Sequence, residues 1–301
     1  MTLRRVLVTR DPAAARPLAA LLRDRGYEPC TARLLEASLP LDTEPLREML
    51  REAARPAVPT WLCLTSATAV HALAAVADSP GWSARLDAAR PAPLRIAAVG
   101  AATARALAEH GVGVDFVPAE TSSAVGMLEE WPERIEEPGL EGRQPPAASG
   151  APRALLPVSA LASTTLEEGL RAKGYRVWRT RAYDMVPAPA PRPLSRIASE
   201  PDDAPELDRT AARAACASGE LAAVVVTAPS RAAELLDGNR PSASTAWIAI
   251  GKPTARALRE RGLTPATAAQ PTPEALADAV DHALADRRGA PRTTSHDTTI
   301  Q

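Results

Sequence analysis

Aromatic residues are scarce in this chain: five Trp, three Tyr and one Phe among 301 residues. With so few rings, an aromatic cage for a flat cofactor is not expected, and the core must be packed with Ala, Leu and Val. Cysteine is scarcer still. Cys30, Cys63 and Cys216 stand far apart, and His71, His110, His282 and His296 show no ligand spacing with them or with one another. Neither a structural disulfide nor a bound metal is expected, and no cofactor is called for. An excess of one charge is also missing, with 35 Lys plus Arg against 36 Asp plus Glu and no basic stripe, which argues against nucleic acid as a partner. No hydrophobic run has the length of a membrane span or a signal core; the apolar stretch after Arg4 and Arg5 ends at Arg10. These absences leave a cytoplasmic protein with a small-molecule partner, long enough for two domains.

What the chain does contain is an internal repeat. RRVLVTRDPAAARPLAALLRDRGYEP (4–29) recurs in outline as PRALLPVSALASTTLEEGLRAKGYRV (152–177). The succession continues with 61–76 against 222–236, 95–112 against 247–263, and 118–131 against 270–284. Gly26 and Gly174, like Gly100 and Gly251, lie about 150 residues apart, as a duplication requires. Each unit has a short Val/Ile/Leu run, then Ser, Thr or Gly opening an Ala-rich helix that stops at Gly26, Gly111, Gly174 or Gly262. That rhythm predicts an α/β fold of open parallel sheets covered by helices, flavodoxin-like in each half. Three stretches break it and read as linker, loop and disorder: 131–152, 187–206 and the tail from 286 onward.

In such sheets ligands bind at the carboxyl ends of the strands, where helix N-termini present free N–H groups and a positive dipole end. Here those ends carry Thr9, Arg10, Thr65, Ser66, Gly100, Thr103, Thr227, Ser230, Gly251 and Thr254. The lining is rich in donors and poor in groups that titrate near neutrality, so it suits holding carboxylates or phosphates better than acid–base chemistry. Each hydroxyl also suits a plain N-cap serving only its own helix; recurrence at strand ends in both halves favours the binding role. Lys252 follows the strand ending at Gly251 and suits either a carboxylate or solvent. There is no GxGxxG or GxxxxGK[ST] phosphate loop, and no Ser-His-Asp or Cys-His set can be assembled. His71 and His110 fall in or at the end of helices and are expected at the surface.

Over residues 4–285 the sequence resembles the uroporphyrinogen-III synthase family. The matching pieces are LVTR (7–10), LTSATAV (64–70), AVGAATARAL (98–107), AETSS (119–123), RAYDMVP (181–187), VVTAPS (225–230), AIGKPTARAL (249–258) and PTPEAL (271–276). The resemblance implies two α/β domains joined by a two-stranded linker, the second inserted in the first. Residues 1–36 and 188–285 would form one domain, 37–183 the other, 286–301 a disordered tail, with 32–40 and 180–187 as crossing strands and a cleft between the domains. It also implies a hydro-lyase of haem and corrinoid biosynthesis. The substrate would be hydroxymethylbilane, a linear tetrapyrrole polycarboxylate. Loss of its terminal hydroxyl as water leaves a cation that the far pyrrole attacks through its substituted carbon; the spiro intermediate then recloses with that ring inverted. Because the substrate also closes unaided to the symmetric isomer, the protein mainly folds the chain and stabilises the cation.

Carried over residue by residue, the family's tyrosine is Tyr183, an uncharged donor to the departing hydroxyl; a linker tyrosine packed between the domains is the competing role. Thr103 and Thr254 would hold acetate or propionate arms through hydroxyl and backbone N–H. Arg10, Thr65, Ser66, Gly100, Thr121, Ser122, Thr227, Ser230, Gly251 and Lys252 complete the expected substrate-binding set. This chain departs from the family at Thr68, Ser123 and Ala228, where Asn, Glu and Ser are usual, and at Val158, where an arginine often stands. A monomer is expected, free of membrane and nucleic acid, meeting hydroxymethylbilane synthase at most transiently. The alternatives are a non-catalytic tetrapyrrole- or small-anion-binding regulatory module on the same fold, or a hinge-closing solute receptor. The short stretch after the last predicted helix disfavours a winged helix, and the missing export signal disfavours the receptor.

Overall fold

The computed structural model describes residues 4–77, 81–90, 93–132, 150–194 and 204–289. In chain order the first elements are β1 (Arg4–Val8), α1 (Pro12–Asp24), β2 (Tyr27–Ala32), β3 (Leu35–Ser38), α2 (Glu44–Ala54), β4 (Thr60–Leu64), α3 (Ala67–Val76), α4 (Trp82–Ala89), β5 (Leu94–Ala98), α5 (Ala101–Glu109) and α6 (Ala124–Glu129). There follow β6 (Arg153–Ser159), α7 (Thr165–Ala172), β7 (Arg176–Pro187), β8 (Glu206–Leu207), α8 (Arg209–Ser218), β9 (Leu221–Val226), α9 (Pro229–Leu236), β10 (Ala246–Ala249), α10 (Lys252–Arg259), β11 (Ala266–Thr267) and α11 (Pro273–Gly289). Contacts divide the chain into two units: the described residues of Met1–Leu35, Pro187–Pro189 and Ile197–Gln301, and those of Glu36–Val186 and Ala190–Arg196.

The first unit holds a sheet in the order β11-β10-β9-β1-β2-β8, its strand pairings all parallel. Without the edge strand β8, that is the flavodoxin-like 2-1-3-4-5 order. The second unit holds β3-β7-β6-β4-β5, with Phe116 bridging Ala97 beyond β5. Placed on the repeat, β6, β7, β4, β5 and the Phe116 bridge answer β1, β2, β9, β10 and β11 in the same order, and edge strand β3 answers β8. The duplication seen in sequence is therefore a duplication of sheet topology, and the first repeat supplies β1 and β2 to one unit but β4 and β5 to the other.

Central strands are buried on both faces because their residues are Val, Leu, Ile, Ala and Cys in unbroken runs. In the second unit one face packs Leu62, Leu64, Ile96, Ala98 and Leu155 against α2, α3 and α5. The other packs Trp61, Cys63, Ala97, Leu156 and Val158 against α6 and α7. Four of the nine aromatics cluster: Trp61, Phe116, Trp131 and Tyr175 meet there, with ring centroids 4.9 to 6.4 Å apart, and Trp131 donates its indole N–H to Tyr175. Gly26 and Gly174, equivalent across the repeat, end α1 and α7 at φ 79° and 89°, the left-handed region where a side chain is strained.

Several expectations need correction. Residues 286–289 belong to α11 rather than to a tail, and Arg287 donates to the Ala243 carbonyl at 2.8 Å, tying this last turn to the unit. Residues 290–301, and the linker and loop cores 133–149 and 195–203, lie outside the described residues. The rhythm reading passed over α2, α4 and α8, which sit outside the strand-to-helix turns that organised it. His71 and His110 are half-buried rather than surface residues: their rings meet at 6.1 Å, and Trp82 packs on His110 at 5.5 Å. Helix α5 ends at His110 and turns it toward α3 and α4.

Candidate functional site

In the second unit the strand order reverses between β4 and β6, so the crevice of this sheet lies at their carboxyl ends. Thr65 and Ser66 follow β4, both half-buried. Ser66 caps α3, its Oγ accepting from the Ala69 N–H at 3.1 Å. The same Oγ lies 3.1 Å from the Tyr183 hydroxyl, across 117 residues of sequence. Strict strand alternation does not deliver Tyr183 there. On β7, Val177 packs on the α6/α7 face of the sheet, where Arg179 bonds Glu167, while Trp178 and Ala182 pack on the α3 face. Tyr183 should therefore share the face of Val177. Between Val158 and Ser159 the β6–β7 register skips a residue: Val158 pairs with Arg181 but Ser159 with Tyr183. The extra residue reverses the alternation, and Tyr183 packs on the α3 face, at Ser66.

Beside these, Gly100 opens α5 in extended conformation at φ −179°, which any residue adopts. It is held to glycine by Ser122: an added Cβ would lie 2.5 Å from Ser122 Oγ. Thr121 and Ser122 are exposed in the turn before α6, and Ser123, where the family favours Glu, caps α6 through the Gly126 N–H at 3.0 Å. That turn is pinned by Glu130, whose carboxylate accepts from the Ala119 and Glu120 N–H groups at 2.7 and 3.0 Å. These backbone bonds, that from Ala119 first, hold the Glu130 carboxyl below the usual carboxylate range. A depressed carboxylate stabilises the fold above its unfolded pKa and loses that contribution as pH falls through the folded value. Protection of the Ala119 and Glu120 amides against hydrogen exchange, taken relative to the intrinsic rate at each pH, is thus expected to fall as acidification passes through the lowered Glu130 value, and to fall in Glu130→Gln at neutral pH; unchanged protection in both would remove Glu130 as the pin.

Thr103 and Thr254 occupy equivalent third positions in α5 and α10 and are 3% and 2% exposed. The Thr103 N–H, expected to be offered to a ligand, is donated to the Gly100 carbonyl at 3.1 Å. Its hydroxyl remains: among the described residues neither threonine hydroxyl has a hydrogen-bond partner. A pocket of about 90 Å³ opens next to Thr65 between α6 and α7, lined by Leu156, Val158, Leu166, Glu167 and Arg179. It is far below the size of a drug-sized ligand pocket.

In the first unit the switch falls between β1 and β9. Thr9 and Thr227 close on each other. The Thr227 hydroxyl donates to the Thr9 carbonyl at 2.8 Å, while its N–H donates to Thr9 Oγ1 at 3.2 Å. Thr227, expected to bind substrate, thus spends both donors on joining the strand ends. Ala228 is the N-cap of α9 without a capping side chain, where the repeat-equivalent Ser66 caps α3. Ala228→Ser is expected to raise stability by about 1 kcal/mol, read as a shift in denaturant midpoint at constant slope; no shift would mean the helix end is satisfied otherwise. Ser230 and Lys252 are exposed in the first turns of α9 and α10, and Gly251 has nothing within 4 Å of where a Cβ would be, so its surroundings are open.

The residue that sequence reasoning missed here is Arg231. It sits in the first turn of α9, half-buried, with no carboxylate partner among the described residues. Burial lowers its pKa, nearby Arg10 lowers it further, and Asp11 opposes them; Asp11 is itself paired with Arg33 at 2.9 Å. The signal was legible: a cation in a helix's first turn opposes the macrodipole, and Lys252 in α10 repeats the violation. First-unit strand ends therefore gather Arg10, Arg231 and Lys252. Near the second-unit ends Arg179 and Arg181 are each paired, with Glu167 and Asp184. One set of strand ends is cationic, the other neutral with a phenol.

Cys30 and Cys216 have thiol pKa values pushed up to about 11 and about 12 by burial, and burial also pushes up Cys63, so none is a ready nucleophile. Among the described residues no three His, Cys, Asp or Glu side chains gather as metal ligands, and no helix is long and apolar enough to cross a membrane.

Comparison with known proteins adds to this geometry. The chain is similar to solved uroporphyrinogen III synthases from Thermus thermophilus, a mutant form (22% identity, TM-score 0.54, covering 94% of this chain and 99% of that one), and from Helicobacter pylori 26695 (18%, TM-score 0.51, 95% and 100%). At these identities the likeness establishes the fold. A curated relative, uroporphyrinogen-III synthase of Synechococcus elongatus, is 33% identical over 132 residues, 43% of this chain and 46% of the relative. The matched part thus spans about half of that relative's length. The family described as Uroporphyrinogen-III synthase HemD matches residues 16–278, and with most of its length so matched the chain belongs to the uroporphyrinogen-III synthase family.

Proposed function

We propose that this protein cyclises hydroxymethylbilane to uroporphyrinogen III, with loss of water and inversion of the last ring. The observation that carries the reading is the Ser66–Tyr183 hydrogen bond at the second-unit switch point, 3.1 Å long and made by a residue that a strand irregularity turns onto that face. With Ser66 Oγ accepting from the Ala69 N–H and its own hydroxyl donating to the phenol oxygen, the phenol O–H is free for a ligand. Such a chain stabilises charge building on the phenol oxygen. Tyr183 then donates its proton to the departing hydroxyl, which leaves as water. The proton released when the attacking pyrrole regains aromaticity restores the phenol.

The cations Arg10, Arg231 and Lys252, unpaired among the described residues, suit carboxylate arms together with the Thr254 hydroxyl. Thr65, Thr103, Thr121 and Ser122 offer neutral donors near the chemistry. The oriented phenol favours an enzyme over a binding module, which has no use for one. We extend the reading to a cytoplasmic monomer, to which the enzyme forming this labile substrate delivers it by transient contact.

The test is to supply freshly generated hydroxymethylbilane and resolve the type I and type III products after oxidation. Type III well above the uncatalysed background is expected; type I alone would defeat the reading.

A further inference from the structure

Arg181 and Asp184 flank Tyr183 on β7 at a spacing that a regular strand keeps apart, since residues three apart point to opposite faces. Here they form a two-pronged pair: Arg181 Nε donates to Asp184 Oδ1 at 2.5 Å, and Nη2 bonds Oδ2. The pair forms because an extra β7 residue, Ala182, falls opposite the Val158–Ser159 step of the facing strand and reverses the alternation, bringing Arg181 and Asp184 to one side and sending Tyr183 to the other. Bulges are rare in parallel pairs, and this one leaves Tyr183 out of step with Val177 and Arg179. The carboxylate is well covered, Asp184 being 14% exposed against 60% for Arg181. The Tyr183 carbonyl also accepts from the Ala160 N–H at 3.1 Å, fixing the strand at the same point. A bidentate guanidinium–carboxylate contact is directional as well as strong, so it resists the strand sliding back into register, which would carry the phenol away from Ser66.

We propose that the Arg181–Asp184 pair is a positioning clamp: it locks the β7 bulge and thereby holds the Tyr183 phenol at Ser66, facing the hydroxyl that leaves from the tetrapyrrole. Neither residue touches the reacting atoms. The inference deepens the proposed function and rests on the phenol acting there.

The experiment uses the full chain labelled at the phenol carbon of tyrosine. Three tyrosines give three resonances, and Tyr183→Phe assigns the third. Asp184→Asn and Arg181→Met are expected to shift or broaden the Tyr183 resonance alone. Tyr27, which bonds Asp281 in the first unit, and Tyr175, which bonds Trp131 in the second, report that both units stay folded. For type III formation, kcat should fall about tenfold with KM within about twofold, and Asp184→Asn should cost nothing further in the Tyr183→Phe background. The exchanged pair, Arg181→Asp with Asp184→Arg, should recover the rate to within about threefold of the parent. An unmoved Tyr183 resonance, movement of all three, or losses that add to those of Tyr183→Phe would overturn the clamp. A parent protein that forms no type III product would instead defeat the catalytic reading, and the Tyr183 resonance would still decide the clamp.

Discussion

Tyr183→Phe is expected to lower kcat for type III product about a hundredfold, the lower end of what a positioned proton donor contributes, while the protein stays folded. The substitution keeps the ring that packs with Ala182 on the α3 face and removes one oxygen. Ser66 keeps its cap on α3 through the Ala69 N–H, so the loss of stability should stay near about 1 kcal/mol. The product ratio makes the result unusually informative. Hydroxymethylbilane closes unaided to the type I isomer, so a slow enzyme yields not less product but a different one. Ser66→Ala should give a smaller loss, because it weakens the partner of the phenol and leaves the phenol itself. If Tyr183→Phe formed type III product at the parent rate, the hydroxyl would have no part in the reaction.

Arg231→Met is expected to move stability and binding in opposite directions. The guanidinium is partly buried beside Arg10, in a helix first turn, without a carboxylate of its own among the described residues. Replacing such a charge with an apolar side chain of similar length removes a desolvation cost, and a gain of roughly 1 kcal/mol is a reasonable expectation. The same change should raise KM about tenfold with little effect on kcat, since a carboxylate held equally in ground and transition states contributes to binding alone. Thermal melts and steady-state kinetics on the same preparation decide it. A variant that is less stable, or whose KM is unchanged, would show that Arg231 serves the fold. This opposition between stability and affinity is what a group retained for a ligand should display.

Much of the fold was legible because one repeat states it twice. A single Val/Ile/Leu run is ambiguous, but LVTR, VVTAPS, LTSATAV and their neighbours recur in the same order, and the order of runs became the order of strands. The strand ends were legible for the same reason, and Ser66, Gly100, Thr103, Gly251 and Thr254 all open helices there. What pattern reading missed depended on partners far along the chain. Thr227 looks like a free hydroxyl until Thr9, 218 residues away, is seen to take it. Gly100 and Gly251 look alike, yet only the first has a neighbour, Ser122, that forbids a side chain. The β7 bulge is invisible locally, because it is a relation between two strands and RAYDMVP alone alternates like any other. Arg231 was missed by attending to hydroxyls and passing over a charge on the wrong end of its helix.

The interleaving of the repeats bears on how the chain comes to be folded during synthesis. Strand β1 leaves the ribosome early with β2 beside it, but its other neighbour, β9, lies more than two hundred residues downstream, as the Val8–Val225 pairing shows. The second unit, by contrast, needs none of the described residues after 194, so it can close while β1 and β2 still wait with both outer hydrogen-bonding edges open, since β8 as well as β9 lies downstream. Such an edge is a template for pairing with another chain, and long-range parallel pairing is intrinsically slow. A nascent chain paused before Leu221 should therefore be the species most prone to aggregate, and the inserted unit the first to resist protease.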